Sequence, residues 1–132
     1  MSDDSLRILV LGAGAIGTYI GGSLAAHNHL VWFFDRPDSV NRILRNGIKI
    51  VQPDKKVSFI DKPFASSDLG EILRINKFDC GIIAVKSYDT ESLVNQFNQG
   101  NLIPPPLFCF QNGVENEVYL REKIPNSIIY AG

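Results

Sequence analysis

The sequence has few cysteines, no surplus of charge of either sign and no long apolar run. Its two cysteines, Cys80 and Cys109, each lie inside an apolar run and lack the spaced Cys or His partners of a metal site. We therefore expect buried free thiols in a reducing cytosol and no bound metal. The net charge of −1 leaves no basic surplus to neutralise a phosphate backbone, which argues against nucleic acid as a partner.

Membrane and secretory signals are also missing from the sequence. The longest apolar runs contain only a handful of residues and are too short to span a bilayer. Residues 1–5 are polar and acidic, unlike the cationic start of a signal peptide. We expect a cytoplasmic protein with no membrane partner.

Short apolar runs rich in β-forming residues alternate with segments of helical spacing along most of the 132 residues. Strands are expected over 7–11, 30–34, 80–85, 107–110 and 127–130, with a hairpin within 48–60 and a short strand from Phe64. Helices are expected over 15–27, 37–46, 68–75, 89–99 and 114–123. This order predicts an α/β fold of the Rossmann type: a doubly wound, mostly parallel sheet with helices on both faces, forming a single domain over residues 1–132.

The most informative local motif is the G-x-G-x-x-G sequence formed by Gly12, Ala13, Gly14, Ala15, Ile16 and Gly17. It follows an expected buried strand and opens a helix, as a dinucleotide site requires. Gly12 allows a tight turn, Gly14 lets the backbone approach a pyrophosphate, and Gly17 lets the helix pack near the sheet. The helix N-terminus offers unpaired N–H groups and partial positive charge to the phosphates. The alternative is a loop that merely joins strand to helix. Gly21 and Gly22 are expected to serve close helix packing.

Asp35 and Arg36 follow the second expected strand and point to different cofactors. An acidic residue at this place typically binds the adenosine ribose hydroxyls and favours NAD, whereas a nearby arginine can bind the 2′-phosphate of NADP. A carboxylate beside that phosphate would be repulsive unless it turned away. The residues alone leave both cofactors open, and a solvated surface charge is the alternative for Arg36.

Lys86 and Asn112 come just past two further expected strands, within the segments AVKSYDT and QNGVENE. Both positions face the crevice where open α/β sheets bind ligands. An exposed loop charge is the alternative for Lys86, and a turn residue before glycine is the alternative for Asn112. Together with LGAGAIG near the start and the strand that leads to Arg36, these segments resemble the ketopantoate reductase (2-dehydropantoate 2-reductase) family over residues 7–132.

The resemblance implies an NADPH-dependent reduction of 2-dehydropantoate to pantoate, a step toward pantothenate and coenzyme A. By position, residues 12–17 would bind the pyrophosphate and Arg36 the 2′-phosphate, so NADP is the expected cofactor, with NAD possible because of Asp35. Lys86 would lie against the ribose and phosphates of the cofactor. Asn112 would contact the nicotinamide ribose and border the keto acid substrate.

The same resemblance implies that catalysis needs more than this chain. The family places its catalytic lysine and a substrate-binding acidic residue in a helical C-terminal domain, which we expect to be absent here. No residue of this chain is therefore expected to be catalytic, and the chain alone is expected to be inactive. His27 and His29 are acid–base types, but they lie at the far end of the first helix and are expected to be surface or packing residues.

Three other interpretations stay open. The chain could be a stand-alone NAD(P)-binding regulatory module, or the cofactor domain of a reductase for another small 2-keto or 3-hydroxy acid. A flavin-binding Rossmann domain is the third, although such domains usually carry a glutamate where Asp35 and Arg36 stand.

Overall fold

Strands and helices alternate along the chain in the computed structural model, which describes residues 4–85, 90–109, 114–124 and 127–131. The strands are β1 (Arg7–Leu11), β2 (Leu30–Phe34), β3 (Ile48–Val51), β4 (Val57–Ile60), β5 (Phe64–Ser66), β6 (Cys80–Ile83), β7 (Leu107–Cys109) and β8 (Ile129–Ala131). The helices are α1 (Ala15–Ala26), α2 (Pro37–Asn46), α3 (Leu69–Ile75), α4 (Thr90–Gln99) and α5 (Val114–Lys123).

Six strands form one sheet in the order β5-β2-β1-β6-β7-β8, and every neighbouring pair is parallel. The chain runs outward from β1 to β5, then returns to β6 beside β1 and runs outward again. Open α/β sheets bind ligands at such a reversal, outside the carboxyl ends of the strands. The predicted Rossmann-type α/β fold is confirmed. The predicted hairpin is also present, as the separate antiparallel pair β3–β4.

The central strand β1 is buried on both faces of the sheet. Ile8 and Val10 point into a cluster that includes residues of α2 and the β3–β4 hairpin. Leu9 and Leu11 point into the opposite cluster, with residues of α3, α4 and α5. Because successive side chains of a strand alternate between faces, a strand must be apolar wherever it is covered on both sides, as residues 8–11 are.

Helix α1 packs closely between the sheet and the hairpin. A β-carbon placed on Gly21 would lie 2.5 Å from the ring of Phe33 in β2. A β-carbon on Gly22 would overlap the side chain of Ile50 in β3. The expectation that these two glycines serve close packing is confirmed.

Some boundaries differ from the expected ones. Strand β6 ends at Ile83 and not at residue 85, although the N–H of Ala84 still donates a 2.8 Å hydrogen bond to the carbonyl of Leu11 in β1. Strand β8 begins at Ile129 and not at residue 127.

Cys109 is buried, but Cys80, at the amino end of β6, is only half-buried. Both are free thiols, and burial, with a smaller contribution from the charge of Asp79, raises the pKa of Cys80.

Candidate functional site

The glycine-rich turn (residues 12–17) joins the carboxyl end of β1 to α1. Gly12 has a φ of +121°, and its N–H donates a 2.8 Å hydrogen bond to the carbonyl of Phe34 at the end of β2. A β-carbon on Gly12 would lie 2.8 Å from backbone atoms of both Ala84 and Val85, just past β6. Side chains rarely adopt this φ, and no space exists for one, so this position requires glycine.

The other two glycines of the motif have opposite surroundings. A β-carbon on Gly17 would overlap the carbonyl oxygen of Gly12, because the first turn of α1 packs directly on the glycine-rich turn. A β-carbon on Gly14, the N-cap of α1, would meet nothing within 4 Å. The structure therefore shows the close packing predicted for Gly17, and the approach of a pyrophosphate to Gly14 stays a prediction.

The N-terminus of α1 is not capped by a side chain of its own helix. Gly14 provides no side-chain cap, and the first turn of α1 contains no acidic residue. The first N–H groups of a helix have no partner within the helix, and they carry part of its positive dipole. An open backbone surface with unpaired N–H groups is the kind of surface that a pyrophosphate fits.

Asp35 contacts the glycine-rich turn directly. Its Oδ2 accepts a 2.7 Å hydrogen bond from the N–H of Ala13, and its Oδ1 accepts one of 2.7 Å from the N–H of Arg36. The carboxylate is thus directed toward the main chain of the turn. Sequence reasoning considered this residue only as a ribose ligand, and no sequence signal distinguishes the two roles.

A slot of about 120 Å³, which we call the β2 slot, lies beside the end of β2. Its lining includes the apolar residues Phe34, Val85 and Leu93 and the polar residues Ser67, Ser92 and Gln96. Asp35, Arg36 and Pro37 complete it. Arg36 is exposed, and its guanidinium has no partner within the described part of the chain. A flat, largely apolar ring with a few polar edges fits such a lining.

A second groove, of about 310 Å³, lies on the α1 side of the turn. Arg42 of α2 and Lys49 of β3 line it together with Gly14, Ala15 and Thr18. Sequence reasoning missed these two cations, because their proximity depends on where the hairpin packs against α1. A larger groove, of about 750 Å³, lies between α3 and α4 and includes no residue of the glycine-rich turn.

The other residues considered from the sequence are Lys86, Asn112 and the two histidines. Lys86 and Asn112 lie outside the described residues, so their roles stay predictions. The Nδ1 of His27 lies 2.7 Å from the carbonyl oxygen of Ser23, and the Nδ1 of His29 accepts a hydrogen bond from the N–H of Leu6. Both histidines are surface or packing residues, as expected.

Two features are absent from the described residues. No cluster of three or more His, Cys, Asp or Glu side chains there could bind a metal ion. None of the described helices has both the length and the apolar character needed to cross a membrane.

Comparison with known proteins identifies the family of the chain. A model of the ketopantoate reductase PanE/ApbA family matches residues 8–132. A 2-dehydropantoate 2-reductase of Halobacterium salinarum is 27% identical over 131 residues, covering 96% of this chain and 41% of the relative. An uncharacterized oxidoreductase of Bacillus subtilis, YkpB, is 30% identical over 89 residues, covering 67% of this chain and 27% of the relative.

Solved structures agree with this result. A PanE/ApbA family ketopantoate reductase from Ralstonia eutropha superposes with a TM-score of 0.78 and 30% identity, covering 96% of this chain and 40% of that chain. D-mandelate dehydrogenase with NADH and anilino(oxo)acetate superposes with a TM-score of 0.76, at 24% identity and the same coverage, and shares the fold. The chain thus spans about two fifths of these relatives. Because the family model covers nearly all of its residues, the chain belongs to the ketopantoate reductase PanE/ApbA family.

Proposed function

We propose that this chain is the cofactor-binding domain of an NADPH-dependent 2-dehydropantoate 2-reductase, which reduces 2-dehydropantoate to pantoate. The observation that carries the proposal is the open N-terminus of α1, placed by a required glycine at the reversal of the sheet order. Family membership and the name of the Halobacterium relative support the choice of reaction.

Each part of the dinucleotide has a matching group in this assignment. Within residues 12–17, the N–H groups at the N-terminus of α1 bind the pyrophosphate, while those of Gly12 and Ala13 bond to Phe34 and Asp35. The β2 slot receives the adenine ring. Arg36, exposed beside that slot, binds the 2′-phosphate through charged hydrogen bonds. Lys86 and Asn112 are assigned to the cofactor, and Asn112 to the substrate as well, by the family resemblance alone.

The chemistry divides between this domain and the rest of the enzyme. Bound NADPH supplies the hydride that converts the keto carbon to a hydroxyl-bearing carbon. The residues of this chain bind and orient the cofactor, while the proton donor and most of the keto acid site belong to the remaining three fifths of the relatives' length. The chain by itself is therefore expected to bind cofactor without turnover.

The cellular setting follows from the same features. Two free thiols suit a reducing compartment, so we assign the protein to the cytoplasm. The near-neutral charge offers no attraction for nucleic acid or an anionic membrane surface, so we propose a small-molecule keto acid as the partner.

Replacing Arg36 tests the cofactor assignment. Arg36→Ala should weaken NADPH binding by roughly 1–3 kcal/mol, the value of a hydrogen bond to a charged group, and leave NADH binding nearly unchanged. Arg45→Ala is the matched control, because Arg45 is an exposed arginine in the last turn of the same helix and lines neither groove. Affinities are measured by fluorescence titration. Equal losses for both cofactors would remove Arg36 from this role, and reductase turnover by the chain alone would contradict its assignment as a partial enzyme.

A further inference from the structure

The end of β2 contacts two consecutive residues of the glycine-rich turn. The carbonyl of Phe34 accepts from the N–H of Gly12 at 2.8 Å, and Asp35 Oδ2 accepts from the N–H of Ala13 at 2.7 Å. The side chain of Asp35 therefore continues the hydrogen bonding between β1 and β2 one residue past the strands. Hydrogen bonds to an ionised carboxylate are stronger than those to a carbonyl, so this contact contributes substantially to the position of the turn.

The second oxygen of Asp35 also binds the main chain. Oδ1 accepts from the N–H of Arg36 at 2.7 Å, which fixes the orientation of the carboxylate about its own backbone. A ribose hydroxyl would have to share each oxygen with an N–H donor that is already present. Both oxygens thus have a main-chain role that is the same whichever cofactor binds, and each keeps a second lone pair for another donor.

The surrounding charges are consistent with this division of roles. The exposed guanidinium of Arg36 has no partner within the described residues, and Arg42 and Lys49 line the groove on the other side of the turn. The carboxylate that would repel a 2′-phosphate is directed into the turn, whereas these cations remain able to meet a phosphate.

We propose that Asp35 is a positioning residue for the glycine-rich turn, which sets the affinity for the shared part of the dinucleotide and does not select NADH over NADPH. This inference rests on the proposed function, since it concerns the same cofactor site. It differs from that function in what it predicts: loss of the Asp35 carboxylate affects both cofactors alike.

Cofactor titrations of Asp35 variants test the selectivity part. Asp35→Ala should weaken NADPH and NADH each by about tenfold, because one charge-assisted hydrogen bond to the turn is lost. Asp35→Asn keeps one neutral acceptor and should show a smaller loss of the same kind. Asp38→Asn is the control, since it removes the same charge from an exposed residue in the first turn of α2 and should change either affinity less than twofold. A loss confined to NADH, or a gain for NADPH, would overturn the proposal and make Asp35 a ribose ligand.

Amide hydrogen exchange tests the positioning part without any cofactor. In Asp35→Ala, exchange at the Ala13 N–H should accelerate at least tenfold, while exchange at Val10, in the middle of β1, stays unchanged. Either of two results would overturn the proposal. Unchanged exchange at Ala13 would show that the hydrogen bond to Asp35 does not stabilise the turn, and equal acceleration at Val10 would indicate general destabilisation. If the wild-type chain bound neither cofactor, the proposed function would fail, and the exchange at Ala13 would still decide the role of Asp35 in the turn.

Discussion

The two halves of the sheet differ on the face that packs against α1. Around β1 and β2 this face is covered by α1, α2 and the hairpin, and the buried cluster on it extends only as far as β6. Beyond β6, Phe108 of β7 and Tyr130 of β8 stack at 5.1 Å and remain 36% and 49% exposed. On the opposite face one buried cluster continues from Phe34 in β2 to Ile129 in β8.

The difference follows from the path of the chain and not from the composition of either half. Connections between parallel strands are right-handed, so the side on which a helix packs depends on the direction in which the chain moves across the sheet. The chain moves one way from β1 to β5 and the other way from β6 to β8, so its helices change faces at the reversal. Among the described residues, the half that contains the glycine-rich turn is covered on both faces, and the other half is covered on one.

The largest loss of stability is expected at the closest contact in the covered half of the sheet. Gly17→Ala places a methyl group on the carbonyl oxygen of Gly12, and backbone must move, so we expect a loss of about 3 kcal/mol or more in the free energy of unfolding. Gly14→Ala is the control: its methyl group meets open space, and the change should stay below about 1 kcal/mol. Urea denaturation measures both. Equal losses would mean that the turn does not pack as described.

A smaller difference in stability is expected between two neighbouring residues of β8 that lie on opposite faces of the sheet. Ile129 is 4% exposed on the covered face, whereas its neighbour Tyr130 is 49% exposed on the other. Ile129→Ala should cost about 2–3 kcal/mol through the cavity it leaves, and Tyr130→Ala about 0.5 kcal/mol, mainly through the lost ring stacking. Urea midpoints of the two variants give the difference. A cost for Tyr130→Ala as large as that for Ile129→Ala would show that this face is covered after all.

The smallest effect concerns the helix that carries the chain from one half to the other. Asp68 caps α3, since its Oδ1 accepts a 3.0 Å hydrogen bond from the N–H of Glu71. Asp68→Ala should cost about 1 kcal/mol of stability, measured by thermal unfolding, and Asp68→Asn should retain most of it. Asp61→Ala, at an exposed bend, is the control and should change stability by less than about 0.5 kcal/mol. A loss of stability no larger than that of the control would show that the Asp68 cap does not stabilise α3.

Local chemistry made much of this fold predictable from sequence. Three signals act over only a few residues, and each has the expected structure. They are the continuous apolar run of β1, the Asp68–Glu71 pair at the start of α3 and the Asn46–Gly47 pair at the end of α2. The glycines of the motif were likewise interpretable one at a time, because their requirements are steric.

Contacts between distant segments were not predictable. The hydrogen bond from Ala13 to Asp35 joins residues 22 positions apart and exists only once β1 and β2 are paired in register. The approach of Arg42 and Lys49 to the turn depends on the packing of the hairpin against α1. The roles of Lys86 and Asn112 stay predictions that rest on the family resemblance.

The close packing of α1 has a consequence for how quickly a ligand can be captured. Phe33 lies against Gly21 on one side and Ile50 against Gly22 on the other, so the helix is packed closely between the sheet and the hairpin. The ordering entropy of its first N–H groups is therefore lost during folding and not at the moment of encounter. Association at this end of the helix should need no induced fit, and its rate should be set by diffusion and charge.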